Sequence, residues 1–562
     1  MKALSPRVAA AALVLLVAAY TLPGLFGHDP WKPDEPYTLG IVLDMAKTGD
    51  AVVPMVGGEP FVEKPPLYYW ASWTSTSIFS RFMPLHDAAR MASLFFVVAS
   101  LAAVAAASSL LWGEGAAGLA VILFLATLGL EGHAQRMQVD LALMLGFSVA
   151  VLGLAGCARA KRWGGAALGL GVGLGFLGKG VIAPAVIGIA ALLLPLFFAQ
   201  WRTRTYFIQL AIALGVALPA LVIWPLLLYL RSPALFNEWF WTNNFGRFTG
   251  FATPKLGATS GPGDWSRDFA WFLFPTWAFA IGTVVREGRY AWHHPALQVG
   301  LTIALVGALV LAASASVRAV YFLPLIPALV IAGVGALHAR DGPYAKALAF
   351  VAIVVAGAVA LFMWTVWALL VAHAELGEWG PLARTLPLPF AMPVQPLSIA
   401  AALVLTAGFV ALALARRRLV AASLTLWVAA LALVWGLAHT LWLPWLDMAK
   451  SYRTVFDEVK KRMPPDARCV VMHGLGESER AMVEYYLGVV PRERHVREED
   501  CRALMWEGNL HKTRGWPWPG PWKLVWRGHR PGEFQEGFEL FLRPESPIPG
   551  EDFSDPRRTG GR

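Results

Sequence analysis

From Val8 to Trp445, apolar blocks of roughly membrane-spanning length follow one another with only short polar breaks. A soluble fold has no use for that pattern. In lipid every backbone polar group must be satisfied internally, and for apolar runs of this length the helix is the structure that does so. Thirteen spans are predicted, over 8–26, 90–112, 116–130, 141–157, 164–178, 181–199, 206–230, 268–285, 297–313, 318–337, 347–372, 397–415 and 419–444. Composition agrees, with 57% hydrophobic and 15% charged residues, against about a quarter charged in soluble proteins.

The text changes after Trp445. From Leu446 to Arg562 it is charged and rich in Pro and Gly, without an apolar run able to cross a core of about 30 Å. The expected fold is therefore an α-helical polytopic membrane domain over 1–446 and a small water-facing α/β domain over 447–562. In the second, Arg468–His473 reads as a buried strand, 477–487 as a helix and 488–491 as another strand. Gly474-Leu475-Gly476 lacks the other glycines of a dinucleotide fingerprint.

The net charge of +10 is explained by where the basic residues lie and needs no nucleic-acid partner. Threading thirteen spans puts Lys2, Arg7, Arg159, Lys161, Arg162, Arg202, Arg204, Arg286, Arg289, Arg340, Lys346 and Arg416–Arg418 on one side. By the positive-inside rule that side is the cytoplasm. Loops 27–89, 131–140, 231–267 and 373–396 and the C-terminal domain fall on the opposite side, the periplasm of a bacterial inner membrane. The first apolar run, preceded by Lys2 and Arg7, also fits a signal peptide, and removing it leaves the next loop on the same face. The three cysteines include no Cys-x-x-Cys pair, which excludes a zinc ribbon or dithiol site. Cys469 and Cys501 share the C-terminal domain, where a bonded and a free pair are both open, because sequence does not fix their Cα separation.

The first outer loop is long enough to need structure of its own. Helices are expected over 33–48, opened by an acidic cap, and over 65–80, whose aromatic residues suit the membrane interface. Ionisable groups beside membrane spans cost free energy unless solvated, paired or used, so their placement is the informative signal. On the outer face these are Asp34, Glu35, Glu63, Lys64, Asp140, Lys179, Arg247 and Arg318, with Tyr321 beside the last. Cations there would neutralise charge on a departing phosphate, and a carboxylate would act as a base or stabilise an oxocarbenium-like sugar. Each residue also has a plainer account. Asp34, Glu35 and Asp140 sit where helix caps sit, Glu63 and Lys64 can form a solvated pair, and Lys179 can snorkel to headgroups. Arg247 and Arg318 can meet lipid phosphate, and Tyr321 can belong to the aromatic belt.

Taken together, Pro33-Asp34-Glu35, Thr48-Gly49-Asp50, Phe61-Val62-Glu63-Lys64-Pro65-Pro66-Leu67-Tyr68-Tyr69-Trp70, Val139-Asp140, Gly175–Gly180, Arg247-Phe248 and Tyr321–Pro324 resemble a known family. It is that of the bacterial aminoarabinose transferases that modify lipid A, within the GT-C glycosyltransferases that include protein O-mannosyltransferases. The resemblance implies transfer of a sugar from undecaprenyl phosphate to a periplasmic lipid or glycan acceptor, without a nucleotide-sugar fold. It assigns Lys64, Arg247 and Tyr321 to the donor phosphate, Asp34 and Asp140 to acceptor and chemistry, and Lys179 to support of the charge network. From their placement among the outer-face charges, Arg318 is expected with the donor-phosphate group and Glu35 with the catalytic carboxylates. Glu63 matches a position associated with a divalent metal, but the family's partner His is Asn244 here. The family's Asp-Glu-x-Arg also has Tyr37 in place of its Arg. A secondary transporter would share the many spans and interior glycines, but its site usually lies at the membrane midplane on interrupted helices. A structural or sensory protein would leave the clustered charges without a use.

Overall fold

The computed structural model describes residues 6–252, 262–337, 343–372, 392–416, 421–465, 467–493, 501–509, 522–533 and 535–543. Most of loop 373–396, and Arg417 and Arg418, lie outside them. Among the described residues, seven helices are long and apolar enough to cross a membrane, or up to nine if two bent pairs are each one span. The pairs are 263–272 with 276–293, bent by 78°, and 422–438 with 443–450, bent by 68°. The expected spans at 8–26, 116–130 and 181–199 emerge shorter, as α1 (Pro6–Thr21), α5 (Ala116–Leu125) and α8 (Ile182–Phe197), and the one at 164–178 keeps its short length as α7 (Gly164–Lys179). At 1.5 Å per residue, 16 residues reach only about 24 Å.

The outer loop folds as expected in outline. It carries α2 (Glu35–Thr48), a two-stranded ribbon (β1, Met55–Val56, and β2, Glu59–Pro60) and α3 (Leu67–Phe79). Tyr68 and Tyr69 of α3 are fully buried and serve packing, while Trp70 and Trp73 are half-buried. Tyr68 shares a 2.6 Å hydrogen bond with Ser93 of α4 (Leu85–Trp112).

Helices α6 (Asp140–Ala158) and α7 lie against each other with little side chain between them. The reason is in the sequence, because α7 carries Gly at 164, 165, 169, 171, 173, 175 and 178. A Cβ on Gly146 would stand 2.4 Å from the backbone nitrogen of Gly175. Small residues let backbones approach where lipid offers no hydrophobic drive to associate. This packing brings the N-terminus of α6 beside the C-terminus of α7.

The C-terminal part forms a five-stranded sheet, β3 (Cys469–His473), β4 (Val490–Glu493), β5 (Ala503–Gly508), β6 (Lys523–His529) and β7 (Gly537–Leu542), in the order β4-β3-β5-β7-β6. The inner strand β3 runs parallel to β4 and β5, while β7 is antiparallel to β5 and β6. A disulfide joins Cys469 to Cys501, with Cα atoms 5.3 Å apart. The sheet part is tied to the first outer loop. The Asp447 carboxylate accepts from the backbone N–H of Asp29 and the Trp31 indole at 2.9 and 2.8 Å. Arg453 pairs with Asp29, and Lys32 pairs with both Glu479 and Glu536.

Candidate active site

Two neighbouring carboxylates of the outer loop have different fates. Asp34 precedes α2, yet its side chain caps no backbone N–H. It accepts from the Tyr37 hydroxyl at 2.9 Å and lies 3.8 Å from the Arg318 guanidinium. Glu35 points into the protein. Arg90 of α4 donates to its two oxygens at 2.8 and 3.1 Å, and the backbone N–H groups of Trp31 and Met137 add bonds at 3.0 and 3.2 Å. Glu35, grouped above with the chemistry, is thus 1% exposed and saturated away from the cluster, a correction that follows from the direction of its side chain. Arg90, expected at the end of a span, sits inside one because α4 begins five residues earlier, at Leu85.

The other candidate residues are brought together. Lys179, the last residue of α7, donates to Asp140, the first of α6, at 2.5 Å, and its ammonium lies 3.7 Å above the Tyr321 ring. Beyond it Gly180 has φ of +76°, and a Cβ there would meet Asn244 Oδ1 at 2.5 Å, so glycine ends the helix and admits the asparagine. Arg247 reaches Glu63 at 2.9 Å and Lys64 reaches it at 3.6 Å. Lys64 also donates to the Tyr37 hydroxyl at 3.2 Å. Tyr37, noticed in the sequence only as a missing Arg, is therefore a member of the cluster. The buried Tyr69 hydroxyl has no hydrogen-bond partner among the described residues, and its aromatic neighbours gave no sign that it differs from Tyr68.

Electrostatics favours the charged forms of Asp34, Glu63 and Lys64. Burial pushes the Asp34 carboxyl up, but Lys64, Arg318 and Lys179 together with the Tyr37 hydroxyl outweigh it and hold it below its ordinary value. Glu63 behaves alike, burial being outweighed by Lys64, Arg247 and Lys179. For Lys64, burial alone would lower the ammonium, and Glu63 and Asp34 instead raise it. The four cations Lys64, Lys179, Arg247 and Arg318 face the three carboxylates Asp34, Glu63 and Asp140 and leave one positive charge in excess.

A cavity of about 360 Å³ opens beside them. Its wall combines the charged and polar side chains of Glu63, Lys64, Lys179, Asn243, Asn244, Arg247, Ser314, Ser316 and Tyr321 with a larger apolar share that includes Leu143, Val181, Ile182, Ala185, Ile189, Phe245, Phe248, Val310 and Leu311. Ile189 is 44% exposed on the outer surface of α8. Asp34, Asp140 and Arg318 are not part of the wall; Asp140 adjoins it through Lys179 and Asp34 through Tyr37 and Lys64.

The residues at Glu63 do not fit a divalent cation. Its carboxylate is engaged by two cations, and the Asn244 amide nitrogen is turned to the Trp239 carbonyl at 2.8 Å. One carboxylate facing an Arg and a Lys does not offer the oxygen-rich, net-negative donor set such an ion needs.

Residues 63–228 match the family model for dolichyl-phosphate-mannose-protein mannosyltransferase. Over 254 residues the chain is 30% identical to the undecaprenyl phosphate-alpha-4-amino-4-deoxy-L-arabinose arabinosyl transferases of Serratia proteamaculans and Yersinia pestis. That stretch is 44% of this chain and 45% of each relative, so the match spans about half the length of the curated relatives. Two crystal structures of ArnT from Cupriavidus metallidurans align over nearly all of both chains. The one bound to undecaprenyl phosphate has a TM-score of 0.68 at 18% identity, covering 96% of this chain and 98% of that one. The apo form has 0.67 at 20%, covering 95% and 98%. In fold over almost its whole length, and in sequence over part of it, the chain is similar to the undecaprenyl-phosphate aminoarabinose transferases.

Proposed function

We propose that this protein is an integral membrane glycosyltransferase that moves a sugar from undecaprenyl phosphate to a lipid or glycan acceptor, with lipid A the first acceptor to test. The observation that carries the reading is the cavity, whose wall combines the cations Lys64, Lys179 and Arg247 with apolar side chains, among them Ile189 on the exposed surface of α8. A polyprenyl phosphate has that two-part chemistry, and the single excess positive charge of the cluster is the amount one phosphodiester neutralises. The names of the similar proteins agree with it.

In this reading Lys64, Arg247, Lys179 and Tyr321 hold the donor phosphate, with Arg318 beside Asp34. The bond from the sugar's anomeric carbon to the phosphate oxygen breaks, and its electron pair stays on the phosphate. The acceptor oxygen bonds to the same carbon. Where the acceptor is a hydroxyl its proton passes to Asp34; where it is a phosphate no proton is taken and Asp34 orients it. Cations already in place stabilise the charge that appears on the leaving group without reorganisation. Asp140 holds Lys179 in position.

The membrane placement belongs to the same proposal. It comprises thirteen crossings, some tilted or short, a boundary near 446, and the site and C-terminal domain on the periplasmic side of the bacterial inner membrane. The basic residues of the short loops support that orientation. The test is mass spectrometry of lipid A and other envelope glycolipids from cells with and without the gene. One lost sugar increment is expected, with the lipid-linked sugar accumulating in the mutant. Identical profiles for both pools would refute the reading.

A further inference from the structure

Asp34 and the cavity do not touch, and one hydroxyl lies between them. Tyr37 follows Asp34 by three residues, a spacing that returns its side chain to the same face at the start of α2. Its oxygen accepts from Lys64 Nζ at 3.2 Å and donates to Asp34 Oδ1 at 2.9 Å. The direction of this chain is fixed by its ends. An ammonium only donates and a carboxylate only accepts, so the hydroxyl proton must point to Asp34. The ring is buried, 6% exposed, packs on Phe61 at 5.0 Å between centroids, and has the Lys64 ammonium 5.5 Å from its centre.

We propose that Tyr37 is the positioning residue that couples the donor-phosphate cation Lys64 to Asp34, so that the carboxylate is held ready when the phosphate is bound. The inference rests on the glycosyltransferase reading and adds a residue to it. When Lys64 turns one proton toward the donor phosphate it keeps others, so the Lys64–Tyr37–Asp34 chain survives donor binding. Removing the hydroxyl leaves Asp34 with the half-exposed Arg318 at 3.8 Å and with the charges of Lys64 and Lys179, but without its hydrogen-bond donor. The charged and titratable groups that interact with Asp34 are Lys64, Lys179, Arg318, Tyr37, Glu63, Tyr69 and His133, and Asp140 acts on Tyr37. Of these, Tyr37 is the hydrogen-bond donor to the carboxylate.

The test is Tyr37→Phe in the purified full chain in nanodiscs, which keeps the ring, its packing on Phe61 and its contact with Lys64. Undecaprenyl phosphate alone is the binding probe, and undecaprenyl-phosphate 4-amino-4-deoxyarabinose with lipid A is the transfer assay. Expected are affinity for undecaprenyl phosphate within about threefold of wild type, kcat lower by about 10- to 100-fold, and the acid limb of the pH–rate profile moved to higher pH. The last follows because the Tyr37 bond lowers the Asp34 pKa and its loss lets it rise. Tyr37→His, which restores a hydrogen-bonding ring, should recover part of kcat. Unchanged turnover, or a loss of turnover and phosphate affinity together with no movement of the acid limb, would overturn the proposal. Wild-type protein that neither binds undecaprenyl phosphate nor transfers from its sugar conjugate would overturn the function itself, and is seen before any variant is compared.

Discussion

The Arg90 guanidinium grips both oxygens of Glu35, at 2.8 and 3.1 Å, while Asp34, one residue earlier, reaches Tyr37 and Arg318 on another side. Arg90 also donates to the carbonyls of His28 and Asp29 and to Asp87, each at 2.8 Å. One buried cation thus ties α4 to the segment that enters α2, and Glu35 anchors the backbone from which Asp34 is presented. The pair of acids divides into a buried member held by Arg90 and one that joins the cationic cluster because their side chains leave the backbone in different directions.

Arg90→Met should be strongly destabilising, because it leaves Glu35 a buried charge without its partner, at a cost of about 3–5 kcal/mol. Thermal unfolding in detergent and membrane yield measure it. The pH dependence has a definite sign. Burial opposes ionisation of Glu35, but Arg90 outweighs it and holds the carboxyl at about 2, below the unfolded value. The contribution is present above the ordinary carboxylate range and is lost as pH falls through it toward 2. Glu35→Gln should flatten this acid-side decline, and an unchanged decline would remove Glu35 as its source.

Asp34→Asn should give a folded, membrane-inserted protein that has lost most transferase activity, by about 10²-fold or more if the acceptor is a hydroxyl. It keeps the shape and can still accept from Tyr37 but has neither charge nor basicity. Melting temperature and single-turnover transfer are the paired measurements. Near-normal transfer would reduce Asp34 to a local backbone role and shift attention to Asp140.

Lys64→Ala and Arg247→Ala should each weaken undecaprenyl phosphate binding by about 1.5–3 kcal/mol, the range for a charge-assisted hydrogen bond. The Lys64 change should act additionally on turnover, through its bond to Tyr37. Titration with undecaprenyl phosphate separates the two effects, and unchanged affinity in both variants would move the phosphate elsewhere.

Gly146→Leu should disrupt the site from a distance. Its side chain would enter the α7 backbone at Gly175, and overpacking of this kind costs about 1–3 kcal/mol or more. Since α6 and α7 carry Asp140 and Lys179, activity should fall together with thermal stability. Loss of neither would mean that the helices can separate without disturbing the pair.

Orientation is tested by single cysteines at Arg162, between α6 and α7, and at Lys460, beyond the last apolar helix, both exposed. A membrane-impermeant thiol reagent applied to intact spheroplasts should label the second and not the first. Labelling of both, or the reverse, would refute the threading.

The sequence by itself determined that this chain is a helical membrane protein ending in a small strand-containing part, because apolar length and backbone satisfaction leave little alternative. It also singled out Asp34, Glu35, Glu63, Lys64, Asp140, Lys179, Arg247, Arg318 and Tyr321 beside spans where charge is costly, and the structure links all of them but Glu35 into one cluster. Only the tertiary structure decided that Glu35 belongs to Arg90, 55 positions away, and that Lys64 reaches Tyr37 across 27 residues. It likewise decided that α1, α5, α7 and α8 are shorter than the bilayer core, and that the tyrosine standing where an arginine was expected joins two charged groups. The reason is that composition and period report what each residue costs in lipid or water. The direction of a side chain, and the partner that offsets its burial, depend on how helices distant in sequence pack together.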